Sequence, residues 1–287
     1  MSLLIGVCSV AAQVILPMAA SLEKNNKGKT IGIIFSGILI GILAARVFSG
    51  YIAGLLSWHY VYSISAVLVL GTALMVQFTL PNIKQEFSGN YKALLLSALQ
   101  QVSRFAVLRR TALLGALVFG VFCSFWTALT FHLSGSPFNF TTSQIGMFGL
   151  LAIAGALLAP YFGKLVDSGN ANRSQLFTTM MILLSAIAMH IMPNSVVVII
   201  IAVLFLDIGV QATQLINIAT IYSLDEKANS RINTIYMTSY FIGGALGTFI
   251  GVKCWKYGGW SWVTWQLIIM SLLAFIVSLY AYRKVIF

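Results

Sequence analysis

SLEKNNKGKTIGIIFSGILIGILAARVFSGYIAGLLSWHYV, residues 21–61, and SLDEKANSRINTIYMTSYFIGGALGTFIGVKCWKYGGWSWV, residues 223–263, align without a gap at a shift of 202 positions. Ser21 and Leu22 meet Ser223 and Leu224, Glu23 meets Asp225, and Lys29 meets Arg231. Gly41, Ala45 and Ser49 meet Gly243, Gly247 and Gly251; Trp58 meets Trp260, and Val61 meets Val263. Apolar stretches share Leu, Ile and Val by chance. Acidic, basic, small and Trp landmarks fall into register far less easily. An internal repeat built from apolar segments implies two related helical bundles that rock about a central site.

The composition says what surrounds those bundles. Of 287 residues, 59% are hydrophobic and only 8% are charged, against about 25% charged in a soluble domain. Such a chain cannot cover a water-facing surface, so an all-α, polytopic membrane protein is expected. The apolar runs are continuous, which excludes the alternating pattern of a membrane barrel. The net charge of +11 is no sign of nucleic acid, because the basic residues sit in short loops between apolar runs. Cys8, Cys123 and Cys254 lie in separate apolar segments without metal-ligand spacing and read as small hydrophobes. The start lacks the basic region of a cleavable signal.

A spanning helix takes about 20 mostly apolar residues. Nine segments qualify: 3–21, 31–55, 60–80, 112–132, 143–163, 175–192, 196–222, 232–252 and 262–282. Of the 17 Lys and Arg, 14 fall on one side of that arrangement, and only Lys253 and Lys256 fall on the other. Arg46 lies inside a span. The bias places the crowded side, with the C-terminus, in the cytoplasm. Residues 82–110 join the halves as a cytoplasmic linker, and Tyr91–Leu108 reads either as an amphipathic helix on the membrane face or as a plain solvated connection.

The repeat sets the domain expectation. Residues 111–287 hold a six-helix bundle, and residues 1–81 match only its last three helices. The chain is therefore expected to correspond to helices four to twelve of a twelve-helix protein, from a disrupted gene, a displaced start or a true nine-helix protein.

Several motifs then carry a resemblance. Gly163-Lys164-Leu165-Val166-Asp167-Ser168-Gly169, with Arg173 beyond, resembles the cytoplasmic loop pattern G-x-L-x-D-x-x-G, departing by one residue at Gly169. Phe125-Trp126-Thr127 with Phe131, then Pro137-Phe138, then Ile145-Gly146 and Gly149, follow the same pattern of permeases. The chain resembles a major facilitator superfamily transporter of the bacterial drug and sugar efflux type. The resemblance implies a major facilitator-type bundle, a multi-pass protein of the bacterial inner membrane and secondary transport of a small solute, coupled to protons as an antiporter in efflux. It implies no enzyme activity, no cofactor, no nucleic-acid partner and a monomer in the lipid bilayer. The alternative is a non-functional remnant of such a transporter.

The resemblance assigns a bundle-latching role to Gly163, Asp167, Gly169 and Arg173; the plainer reading is a surface turn. Gly37, Gly41, Ala45 and Ser49 recur every four residues, with Gly50 and Gly54 on a second strip. They resemble the glycine-rich helix five of antiporters, though Ala45-Arg46 stands where that pattern has Gly-Pro. Small residues at this spacing, including Gly243, Gly247 and Gly251, permit close helix approach. Arg46 either snorkels to the outer face or pairs with an anionic group in the cavity.

Asp207 is the only acid inside a span, and Gln211, Gln214 and Asn217 follow it on one helical face. Lipid does not tolerate such a face, so it should line a cavity or the bundle interior. Removing a carboxylate from water favours its protonated form, so a buried acid can take up and release a proton as access alternates. The alternative is a structural, hydrogen-bonded Asp. Gln13 and Trp126 are further candidates for the solute pathway. His59, His132 and His190 have no second ligand at metal spacing.

Overall fold

The structure, a computed structural model, describes residues 18, 27–79, 90–151, 171–225 and 228–286. The described elements are α1 (Lys27–Leu55), α2 (Trp58–Thr79), α3 (Tyr91–Arg104), α4 (Ala106–Ser134), α5 (Thr142–Met147) running into a 3-10 turn (Phe148–Leu151), α6 (Ala171–Ile191), α7 (Val196–Tyr222) and α8 (Asn229–Ile286). Among the described residues five helices are long and apolar enough to cross a membrane: α2, α4, α6, α7 and α8. Helices suit this chain because each satisfies its backbone groups internally, with no water to help in the bilayer core. The chain is a multi-pass membrane protein of all-α fold. α2 makes the point most directly: it buries none of its residues, and Leu68, Phe78 and Val67 stand 66%, 85% and 70% exposed. Such a surface suits lipid and not water.

Expected span 3–21 lies almost wholly outside the described residues, and 143–163 is described only as far as Leu151. Several boundaries differ from expectation. α4 begins at Ala106, not at 112, and the amphipathic helix ends at Arg104, where Phe105 is extended at φ −117° and ψ 106°. The connection expected over 253–261 shrinks to Gly258–Gly259, the only non-helical residues inside α8. They divide it into 229–257 and 260–286.

These bounds carry the repeat into three dimensions. The break after α1 falls at Leu56–Ser57 and that in α8 at Gly258–Gly259, and the next helices open on Trp58 and Trp260, all separated by the same 202 positions.

α4, α6, α7 and α8 pack together, with the closest association between α4 and α8. Along that seam Ala116, Gly120 and Ser124 meet Gly243, Gly247 and Gly251, each pair 127 positions apart, so the two helices run parallel. A Cβ on Gly243 would strike the Ala116 carbonyl, one on Gly247 the Gly120 carbonyl, and one on Gly251 the Ser124 hydroxyl. Small residues here let two backbones touch, which is how helices associate where lipid removes the hydrophobic drive. One core cluster centres on Leu108, Ile221, Ile232 and Tyr236; the other runs from Leu114 through Phe125 and Leu206 to Leu267. α1 packs against α2 and α5 and adds Ile34 and Ile38 to the first cluster. Gly37, Gly41, Gly50 and Gly54 of α1 have nothing within 4 Å of an added Cβ among the described residues.

Candidate functional site

Asp207 sits near the middle of α7, a helix opened by Ser195, whose hydroxyl accepts the Val198 N–H at 3.4 Å. Its side chain is fully buried, and the Trp126 indole Nε1 of α4 donates to Oδ1 at 3.2 Å. Phe119, Phe122 and Trp126 recur at i, i+3 and i+7, so α4 presents one aromatic face. Their rings follow one another at 5.9 and 6.3 Å. Phe119 stacks on Tyr240 of α8 at 3.9 Å, and the Tyr240 hydroxyl donates to Gln214 Oε1 of α7 at 3.0 Å. Asp207, Trp126, Phe122, Phe119, Tyr240 and Gln214 thus form a circuit that leaves α7 and returns to it.

Gln211 lies between Asp207 and Gln214 on that face. It is 9% exposed and has no hydrogen bond among the described residues. Buried amides normally find partners. Asn217, the last member of the stripe, belongs to a separate network: Gln175 Nε2 of α6 donates to its Oδ1 at 2.5 Å, and its Nδ2 donates to Tyr236 OH at 3.3 Å. Thr178 and Thr213 bridge α6 and α7 nearby at 2.8 Å. Ile34 and Ile38 of α1 pack on the cluster that holds Tyr236 and Tyr240, with Phe119 at its margin. Side chains of both repeats therefore meet in that cluster.

Asp207, Gln211, Gln214 and Trp126 come together, then, while Asn217 is engaged in bonds between helices. Phe131 points elsewhere, 41% exposed and 5.8 Å from the Trp255 ring. Arg46 belongs to α1, with its side chain outside the described set; Gln13, Gly163, Asp167 and Gly169 also lie outside the described residues. Arg173 is exposed at the start of α6, beside Asn172, which accepts from Arg110 at 3.3 Å. Phe119, Phe122, Tyr236, Tyr240 and Gln175 are additional to the sequence reading. The first two repeat at helical spacing upstream of Trp126 and were open to detection.

The histidines are used in packing: His132 bonds the Pro193 carbonyl at 2.8 Å and stacks on Trp260 at 4.1 Å, while His190 bonds Thr264 at 2.8 Å. Among the described residues no three of His, Cys, Asp and Glu gather as a metal site. The circuit and the neighbouring Gln211 together offer one carboxylate, two amides and aromatic faces. Such a set can hold a proton, accept hydrogen bonds and stack on a flat or cationic solute.

The Major Facilitator Superfamily sequence profile matches residues 1–248. The chain is 39% identical over 261 residues to the uncharacterised transporter YgaY of Escherichia coli O157:H7, which covers 91% of this chain and 66% of that protein. It is 25% identical to a Streptomyces coelicolor protein named as a transporter, over 89% of this chain and 60% of that one. An uncharacterised transporter of Buchnera aphidicola from Schizaphis graminum is 24% identical over 96% of this chain and 65% of its own length. The chain thus spans just under two thirds of the length of these relatives.

Proposed function

The chain belongs to the Major Facilitator Superfamily, and from that premise we propose that it moves a small solute across a bacterial inner membrane in exchange for protons, with its C-terminus in the cytoplasm. Asp207 is the proton-carrying group. Gln211 and Gln214 offer hydrogen bonds to the solute, and Phe119, Phe122 and Trp126 form the wall against which it lies. The observation that carries this reading is a carboxylate fully buried in the middle of an apolar span and met by an indole N–H donor from the facing helix. A buried carboxylate is costly to retain for packing alone, and in membrane spans such groups mark ion and substrate paths.

Proteoliposomes with a trapped pH-sensitive dye test it. Gradients of individual sugars and organic cations are imposed and the internal pH is followed. A carried solute shifts the dye signal with the unaltered chain. Asp207→Asn keeps solute counterflow and loses the pH signal. A substituted protein that still couples solute to protons would remove Asp207 from the role.

One observation favours a second reading, in which the chain does not transport. Gly37, Gly41 and Gly54 face open space among the described residues, whereas the repeat-related Gly243 is tightly covered. Absence of flux for every solute in the panel, from protein that elutes as a single species, would support that reading.

A further inference from the structure

α3 is 14 residues long, about 21 Å at 1.5 Å per residue, too short to cross a hydrocarbon core of about 30 Å. It carries Lys92, Gln100, Gln101 and Arg104, and it joins the end of one span to the start of the next. Such a segment suits the membrane surface and not its core.

Its two sides differ. Ala98 and Gln101 are buried against the protein, with Leu94, Ser97 and Val102 half-buried around them. Leu95, Leu96 and Leu99 turn the other way and are 46%, 51% and 59% exposed. At 100° per residue these three leucines occupy about a quarter of the helix circumference, with Lys92 and Ser103 on the same side.

That side is held in a fixed direction. Arg104 Nη1 pairs with Asp225 Oδ2 at 2.8 Å, from the turn that joins α7 to α8. Arg109 Nη1 reaches back to the carbonyls of Val102 and Ser103 at 2.7 and 3.1 Å, closing the C-terminal end of α3. Phe105 packs against the first core cluster. The contacts of Arg104 with Asp225 and of Arg110 with Asn172 bring α3, the start of α6 and the α7–α8 turn to one end of the bundle. Lys92, Arg104, Arg109, Arg110, Arg173 and Arg231 are at that end. Among the described residues the only carboxylate there is Asp225.

We propose that this end of the molecule is a docking surface for anionic phospholipid, with Leu95, Leu96 and Leu99 sunk among the acyl chains and the surrounding guanidinium groups and Lys92 holding the headgroups. Charge complementarity selects the occupant. Lys92, Arg104, Arg109, Arg110 and Arg173 give this end an excess of basic side chains among the described residues that matches an anionic leaflet, to which each Lys or Arg near the surface adds attraction. Continuity selects it as well, since α3 lies between two spans whose exposed faces are already lipid-facing. The leucines supply apolar burial and the basic residues supply lipid preference, the two components of an interfacial helix. The proposal rests on the membrane placement of the chain and not on transport, so a failed flux assay leaves it standing.

The test uses the full chain with Cys8, Cys123 and Cys254 replaced by Ser and a single Leu96→Cys carrying an environment-sensitive fluorophore. It is placed in nanodiscs of phosphatidylcholine with or without phosphatidylglycerol, each prepared with brominated acyl chains as quencher. The expected result is strong quenching in the phosphatidylglycerol discs, weaker quenching in pure phosphatidylcholine, and a loss of the difference when salt is raised. Ser103→Cys repeats the measurement from the same side with a smaller change, should Leu96→Cys disturb folding. A probe that stays in water in both lipids would overturn the proposal. Equal quenching in the two lipids would overturn it too, because the headgroup preference would then be absent.

Discussion

The indole N–H of Trp126 meets the carboxylate of Asp207 at 3.2 Å, tying the aromatic face of α4 to the midpoint of α7. Trp126→Phe removes the donor and keeps a ring beside Phe122 and Phe125, whose centroids lie 6.3 and 5.7 Å away. Hydrogen bonds between membrane helices contribute about 1 kcal/mol, so the melting temperature in detergent should fall by a few degrees. Asp207→Asn keeps an oxygen acceptor for the same donor and should melt close to the unaltered chain while losing proton coupling. Equal destabilisation by both would mean that the carboxylate serves the fold and not the flux.

Repeat-related glycines should respond with opposite signs. Gly243→Ala drives a methyl into the backbone of Ala116, and overpacking of this kind costs about 1–3 kcal/mol. Gly41→Ala meets nothing within 4 Å among the described residues and gains about 0.5–1 kcal/mol of helix propensity. Thermal unfolding in detergent and in lipid checks both. A destabilising Gly41→Ala in lipid alone would show that the groove on α1 is filled in the membrane.

Asn217→Leu leaves Gln175 and Tyr236 buried without the partner they share. Stranding buried polar groups costs about 1–3 kcal/mol each, so this change should lower thermal stability more than Gln214→Leu, which strands only the half-buried contact with Tyr240. Unfolding midpoints for the two variants should fall in that order.

The ion pair of Arg104 with Asp225 should be weak, since the arginine side chain is 58% exposed. A double-mutant cycle with Arg104→Gln and Asp225→Asn should give a coupling of about 0.5 kcal/mol that fades with salt. A coupling of several kcal/mol would mean that the pair is shielded from water in the membrane-bound protein.

Patterns that depend on the bilayer were readable from residues alone. Span positions follow from apolar length, and α7 runs over the expected 196–222. Features set by side-chain reach were not. Arg109 and Arg110 look like loop charges, and their presence pushed the expected start of α4 to 112. In the fold both lie in the first turns of that helix, where Arg109 turns back onto α3 and Arg110 reaches Asn172. A flexible guanidinium stem allows a charge to sit on a helix while its head bonds elsewhere. The stripe of Asp207, Gln211, Gln214 and Asn217 follows from helical spacing, but its division does not. Asn217 is drawn into a bond network because Gln175 and Tyr236, 42 and 19 positions away, converge on it, and periodicity within one helix cannot reveal that. The aromatic circuit likewise needed the parallel seam of α4 and α8 to bring Tyr240 over Phe119.

Gly259 holds φ 60° and ψ −150°, and Gly258 lies under the Trp262 indole, where a Cβ would have no room. That backbone region is almost confined to glycine, so the corner turns in two residues and leaves no slack. Segments 229–257 and 260–286 are joined like the arms of a rigid hairpin, and neither can slide or tilt far without carrying the other. Substituting Gly259 should therefore disturb assembly of the hairpin.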